Sequence, residues 1–94
     1  MNKEKIRVHI FVSGRVQMVL FRYSTRQKAL RFGVNGWVIN LNDGRVEMVL
    51  EGSKENVRKL IEWAKKGPFL ARVNNFDLKY EEYKNEFNSF EVKY

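Results

Sequence analysis

The residues best suited to do chemistry lie where the first predicted strand leads into the first predicted helix. Residues 13–20 form a loop there, and Arg22 follows at the helix start. The first N–H groups of a helix have no intrahelical partner, and the helix dipole favours an anion at that end. An arginine there is either solvated at a small cost or balanced by a bound anion. Since a guanidinium suits two-pronged phosphate contact, the pattern indicates an anion cradle of backbone amides with Arg22 as its clamp.

Positive charge is concentrated in the same part of the chain. The 94 residues carry a formal net charge of +7. Residues 1–40 hold eight basic residues and one acidic residue, whereas residues 41–94 hold ten of each. This asymmetry favours an anionic partner, either a phosphate-bearing small molecule, a nucleic acid or a membrane surface. A solvated basic helix face that aids solubility is the alternative.

Composition excludes several classes of protein. There is no cysteine, which excludes disulfides, thiol nucleophiles and cysteine-based metal sites. The single histidine, His9, provides neither a metal cluster nor a good candidate for a histidine-dependent triad. No apolar stretch approaches the ~20 residues of a membrane span, and Met1–Lys5 lacks the apolar segment of a secretory signal. We therefore expect one cytoplasmic domain over residues 1–94, without metal or cofactor.

The pattern of apolar residues predicts five strands and two helices. Strands alternate with period two, and the helices show apolar stripes with spacings of three and four residues. Gly33 ends the first helix, Gly52 breaks the third strand, and Ser53 caps the second helix. The predicted strands lie at residues 6–12, 34–41, 45–51, 76–80 and 90–94, and the predicted helices at residues 21–32 and 54–66.

This order predicts an α+β fold. The hairpin turn at Asn42-Asp43-Gly44 makes the sheet at least partly antiparallel, and alternation leaves one sheet face to be covered by the two helices. The arrangement is the ferredoxin-like βαββαβ sandwich, with a mainly antiparallel sheet and an extra C-terminal strand. Because this fold supports binding modules, regulatory domains and enzymes, it does not decide the function.

Two motifs resemble those of the acylphosphatase family. The first family motif, G-x-V-Q-G-V-x-F-R, is similar to Gly14-Arg15-Val16-Gln17-Met18-Val19-Leu20-Phe21-Arg22. The second, G-W-V-x-N, is matched by Gly36-Trp37-Val38-Ile39-Asn40. Further matches follow in register at Asp43-Gly44, Val46-Glu47, Glu51-Gly52, Gly67-Pro68 and Ala71-Arg72-Val73. The resemblance covers nearly the whole chain and independently implies the ferredoxin-like sandwich.

The resemblance implies metal-independent hydrolysis of an acyl phosphate to a carboxylate and inorganic phosphate. It assigns the phosphoryl oxygens to Arg22 and loop amides, and the attacking water to Asn40. The implied cradle, mainly of backbone, comprises Gly14, Arg15, Val16, Gln17, Met18, Val19 and Leu20. The expected partners are a small acyl phosphate and its phosphate product. We expect a monomer that binds neither nucleic acid nor membrane.

One residue departs from the family pattern. Met18 stands where the first motif has glycine, which often permits a positive φ or close backbone approach. If the loop needs a positive φ here, methionine adds strain of about 1–2 kcal/mol or rearranges the loop. Its side chain could also lean over the phosphate pocket. We therefore expect an intact fold with a perturbed cradle, whose activity is weak, altered in substrate preference, or absent.

Two alternatives stay open at this point. The first is a domain of this family that binds phosphate but does not hydrolyse acyl phosphates, an alternative suggested by Met18 in place of the motif glycine. A basic nucleic-acid-binding module follows from the element order and the net charge. The second is disfavoured because the third strand, residues 45–51, has no aromatic residue on which bases could stack. Of the remaining polar residues, His9 is predicted on the sheet face, and Glu81 and Glu82 at a solvated edge.

Overall fold

The computed structural model describes residues 4–94, which form five strands and two helices. Residues 1–3, on which the predicted absence of a signal segment partly depends, lie outside the described residues. Within residues 4–94, neither helix is long and apolar enough to cross a membrane. In chain order the elements are β1 (Lys5–Arg15), α1 (Phe21–Phe32), β2 (Asn35–Asn40), β3 (Val46–Ser53), α2 (Lys54–Ala64), β4 (Arg72–Glu81) and β5 (Phe90–Lys93).

The five strands form one mixed sheet with the order β4-β1-β3-β2-β5. Every pairing is antiparallel except that of β5, which runs parallel to β2. Both helices pack on one face of the sheet, with α1 against β2 and β5 and α2 against β3 and β1. The prediction of a ferredoxin-like α+β sandwich with an additional strand is confirmed.

The core lies between the helices and the sheet. Alternate residues of β1 and β3 point towards the helices, while α1 and α2 contribute the stripes that the sequence pattern predicts. Phe21 is 1% exposed, and its ring contacts that of Trp63 at a centroid distance of 5.6 Å. The fully buried apolar side chains include Val8, Ile10, Val12, Val38, Val46, Met48, Leu50, Val57 and Leu60. This core holds the start of α1 and the end of β2 in fixed positions.

Several predicted strand ends were wrong, those of β1, β3 and β4 by the most. β4 begins at Arg72 rather than at residue 76, because its first residues pair with the end of β1. β1 continues past Val12 to Arg15 because its last residues pair with β4, with a register shift between Ser13 and Gly14. At Gly14, φ is +123°, and a Cβ atom would lie 2.1 Å from the Arg72 carbonyl oxygen. Likewise β3 does not break at Gly52, because that residue still pairs with β1. The loop between β1 and α1 is therefore confined to residues 16–20.

A crossover at residues 82–89 connects the two edges of the sheet, and Glu51 holds it. This carboxylate is only 2% exposed and accepts hydrogen bonds from the backbone N–H groups of Lys84, at 2.8 Å, and Glu86, at 3.0 Å. Arg7 lies 3.4 Å from it. Burial alone would raise the pKa of Glu51, but these three donors outweigh burial and hold the pKa below its usual value.

Glu81 is not the purely solvated edge residue that the sequence suggested. Its carboxylate accepts from Arg7 Nε at 2.9 Å and lies 3.1 Å from His9 Nδ1. The other ring nitrogen of His9 lies 2.6 Å from Glu47. The prediction failed because strand pairing brings Arg7 and His9 beside Glu81 across the sheet face. His9 does occupy the sheet face, as expected.

Candidate active site

One cleft contains both side chains that the sequence analysis singled out for chemistry. Its volume is about 480 Å³, and it lies between the start of α1, the end of β2 and the end of β5. This size is typical of small-molecule sites, which span roughly 300–1,000 Å³. Its lining residues are Met18, Leu20, Phe21, Arg22, Tyr23, Asn40, Val92 and Tyr94.

Arg22 lies in the first turn of α1 and is held on two sides. Its Nη1 donates a hydrogen bond of 2.9 Å to the carbonyl of Lys93. The guanidinium carbon also lies 4.5 Å from the centre of the Tyr94 ring, a cation–π geometry. A guanidinium has five N–H donors, so one hydrogen bond to Lys93 leaves donors for a ligand. The first turn of α1 contains no acidic residue, which would repel an anion and compete with it for these donors.

Asn40 ends β2 and faces the same cleft. Its Oδ1 atom is buried and has no hydrogen-bond partner within residues 4–94. A buried acceptor without a partner is costly, about 1–3 kcal/mol, and such groups are rare in folded proteins. This unpartnered acceptor is thus suited to a donor from a ligand or a water molecule.

The loop before α1 is anchored by its own residues. Val16 and Val19 are buried in the core, at 0% and 9% exposure. Gln17 donates from Nε2 to the carbonyls of Leu41, at 2.7 Å, and Arg45, at 2.9 Å. These contacts connect the loop to the β2–β3 hairpin, which carries the second predicted motif.

The loop before α1 contains two residues in the left-handed region of backbone conformation. Met18 and Leu20 have φ values of 64° and 65°, while Val19 between them is not in the positive region. Alternation of this kind turns successive backbone N–H groups towards one concavity, an arrangement that binds anions. Gly14 and Arg15, by contrast, lie in β1 and pair with β4, so the part of the predicted cradle that borders the cleft is its C-terminal half.

The positive φ that would make Met18 strained is present, but its side chain does not close the cleft. It is 98% exposed and lies at the rim of the cleft. Leu20 is strained in the same way and is 71% exposed. The strain was predicted for Met18 from its position in the motif, whereas no sequence signal marked Leu20.

The face of the sheet away from the helices does not resemble a base-stacking platform. Phe11 is covered by Arg45, at 4.7 Å, and Trp37 by Lys93 Nζ, also at 4.7 Å. Carboxylates of Glu47 and others occupy the same face through strand alternation. Aromatic rings already covered by cations and surrounded by acidic groups disfavour nucleic-acid binding here.

Sequence reasoning missed two contributors to the site. Lys93 supplies the carbonyl that holds Arg22, and Tyr94 supplies the ring beneath the guanidinium. Both come from the last strand region, more than 70 residues beyond Arg22 in sequence. Their place depends on the parallel pairing of β5 with β2, which no local pattern predicts. Gln17 was predicted only as part of the cradle, not as the anchor of the loop.

Comparisons with known proteins show the family and the fold of the chain. The acylphosphatase family model matches residues 8–92. An acylphosphatase of Pyrobaculum calidifontis is 56% identical over 90 residues, which cover 95% of this chain and 82% of that protein. The acylphosphatase structure from Bacillus subtilis has a TM-score of 0.90 at 31% identity and covers 95% of this chain and 99% of that one. That from Coxiella burnetii has a TM-score of 0.89 at 37% identity, with coverages of 95% and 93%. The chain belongs to the acylphosphatase family.

Proposed function

We propose that Arg22, Asn40 and the loop before α1 together hydrolyse the carboxyl–phosphate bond of acyl phosphates. The observation that carries this proposal is the buried Oδ1 of Asn40, which has no hydrogen-bond partner among residues 4–94 and lies in the cleft that also contains the Arg22 guanidinium. One group is suited to hold a water molecule and the other to hold a phosphoryl group. The acyl phosphate is the substrate, and a carboxylate and inorganic phosphate are the products.

The phosphoryl group is bound by charge and by backbone donors. Arg22 can present two N–H donors in one plane to two phosphoryl oxygens, which a lysine ammonium group cannot do. The concave backbone at Met18–Leu20 and the helix dipole of α1 supply further positive potential. Of the predicted cradle residues 14–20, the proposal relies on 16–20, because Gly14 and Arg15 belong to β1.

Asn40 then orients the nucleophile. A water molecule donates a hydrogen bond to Asn40 Oδ1 and directs its lone pair at phosphorus. The water oxygen bonds to phosphorus while the bond from phosphorus to the carboxyl oxygen breaks, and the carboxylate leaves with the electron pair. The water protons pass to phosphate oxygens and solvent. Because a carboxylate leaves readily, positioning and charge stabilisation supply most of the catalysis, and a neutral amide does not repel the anion.

Two alanine variants separate these roles. Arg22→Ala is expected to abolish both turnover and competitive inhibition by inorganic phosphate. Asn40→Ala is expected to lower kcat about 100–1,000-fold, as loss of one preorganised group typically does, while the inhibition constant of phosphate stays unchanged. Arg26→Ala, which removes an exposed cation from the same helix, is the matched control and should retain activity.

Three outcomes would contradict the assignment. Unchanged phosphate inhibition in Arg22→Ala would remove the clamp role, and loss of phosphate inhibition in Asn40→Ala would show that Asn40 binds rather than positions. Thermal protection of the wild type by phosphate without any turnover would support the silent phosphate-binding alternative. We also propose that the enzyme is monomeric and cytoplasmic. Light scattering after gel filtration tests the monomeric state.

A further inference from the structure

The cleft is larger and more apolar than a phosphoryl group requires. Arg22 and Asn40 occupy one part of its lining, and the rest comes from apolar and aromatic side chains. Four of these, Met18, Leu20, Tyr23 and Tyr94, are more than half exposed, and we call them the apolar rim. Apolar side chains clustered around a cleft typically mark a surface that contacts a ligand.

Backbone strain at the rim supports the same conclusion. Met18 and Leu20 are held at positive φ, a conformation that disfavours both residue types, yet their side chains are 98% and 71% exposed. Neither side chain therefore repays the strain by packing in the core. Strained residues concentrate at functional sites, where the conformation serves binding. Here the strain places two apolar side chains beside the anion loop.

The distribution of charge shows which acyl groups fit. Arg22 carries the sole charged side chain among the residues lining the cleft in the described part of the chain. The neighbouring cation, Lys93, places its Nζ over the ring of Trp37 on the other face of the sheet. Once Arg22 holds the phosphoryl group, the cleft offers no further cationic side chain to a carboxylate or second phosphate on the acyl portion. That second anionic group would lose water of hydration against apolar side chains, which is unfavourable.

We propose that the apolar rim binds the acyl portion of the substrate and selects acyl phosphates with uncharged aliphatic or aromatic acyl groups over those with a second anionic group. This inference rests on the proposed function, since it takes Arg22 as the site of the phosphoryl end. Each methylene withdrawn from water is worth about four-fold in affinity. A phenyl group seated on the rim thus gains more than ten-fold over a methyl group.

The test compares acyl groups in the wild type and in rim variants. We expect kcat/KM to rise from acetyl to butyryl to benzoyl phosphate, and that for succinyl phosphate to fall below that for butyryl phosphate. Tyr23→Ala and the double variant Met18→Ala/Leu20→Ala should lower the benzoyl-to-acetyl ratio of kcat/KM at least five-fold. Alanine retains the Cβ atom, so the positive φ values keep their cost. Leu30→Ala, a 52% exposed leucine on α1 outside the cleft lining, is the control and should keep the ratio.

Binding of acylphosphonates, which lack the carboxyl–phosphate P–O bond, distinguishes the two proposals. Calorimetry with benzoylphosphonate and acetylphosphonate should show the same preference and the same loss in the rim variants. Phosphonate binding that depends on acyl size without any turnover of acyl phosphates would refute the hydrolytic proposal and support the rim. Turnover of all four acyl phosphates with equal kcat/KM, or ratios unaffected by the rim variants, would refute the rim alone.

Discussion

Replacing Glu51 by glutamine should destabilise the protein far more than replacing an exposed glutamate. Its carboxylate holds the crossover at residues 82–89 by accepting two backbone N–H groups, from Lys84 and Glu86. Glutamine keeps the shape but has one oxygen and one NH₂ group. One of the two backbone donors then faces another donor, and Arg7 loses a charged partner.

The cost follows from these contacts. A buried donor left without its acceptor costs about 1–3 kcal/mol. With the weakened Arg7 contact, we expect Glu51→Gln to lower the free energy of unfolding by about 2–3 kcal/mol. For a domain of this size, that corresponds to a fall in Tm of about 10–20 °C. Glu62→Gln is the matched control, because Glu62 is exposed and pairs with Lys65 only at the surface, where such pairs contribute little.

The difference should also depend on pH. Because the pKa of folded Glu51 lies below its usual value of 4.5, the folded state binds fewer protons than the unfolded state in acid. The stabilisation is complete above that usual value and is lost as the pH falls through the folded pKa. Urea unfolding at pH 7 and at pH 3 should therefore show a larger gap between wild type and Glu51→Gln at pH 7. A gap below about 1 kcal/mol at pH 7, or one that grows in acid, would refute the reasoning.

Three further variants test the loop and the sheet. Gln17→Ala removes two hydrogen bonds to the β2–β3 hairpin, so urea unfolding should show a loss of about 1–3 kcal/mol in the free energy of unfolding. Because these bonds anchor the loop, steady-state kinetics should also show a higher inhibition constant for phosphate. Met18→Gly relieves backbone strain at φ 64° but raises the conformational entropy of the unfolded chain, so the free energy of unfolding should change by less than about 1 kcal/mol. The benzoyl-to-acetyl ratio of kcat/KM should fall, because the methionine side chain is lost from the rim. Rates equal to those of the wild type on both substrates would show that Met18 does not affect the site. Gly36→Ala would place Cβ 1.8 Å from the Val49 carbonyl oxygen at φ +146°, so no folded protein is expected by circular dichroism, and a native spectrum would contradict the sheet geometry.

Much of the fold could be predicted because it is recorded in local patterns. The alternation of Ile6, Val8 and Ile10 and the helical stripe beginning at Phe21 identify elements without any tertiary information. The errors arose where pairing overrides local preference. Gly52 reads as a strand breaker, yet the neighbouring strand keeps it in the sheet. Glu81 reads as a surface acid, but its partners come from a strand more than 70 residues away.

The candidate site divides in the same way. Arg22 and Asn40 each lie in a motif of consecutive residues, so their residue types and spacing could be recognised directly from the sequence. The contacts that Lys93 and Tyr94 make with Arg22 could not be predicted, because they depend on which edge of the sheet β5 joins. The exposure of Met18 is also a tertiary property, since a long apolar side chain in a loop is as compatible with burial as with a rim position.

The parallel pairing of β5 with β2 has a consequence for how the enzyme gains activity during folding. The chain must pass from one edge of the sheet to the other before Lys93 can reach Arg22, a contact between residues 71 positions apart. Contacts of such long range form late, because the chain entropy of closing the loop must be overcome first. Helices and the central hairpin can therefore assemble while the guanidinium is still unsupported, and recovery of catalysis after dilution from denaturant should never precede recovery of secondary structure.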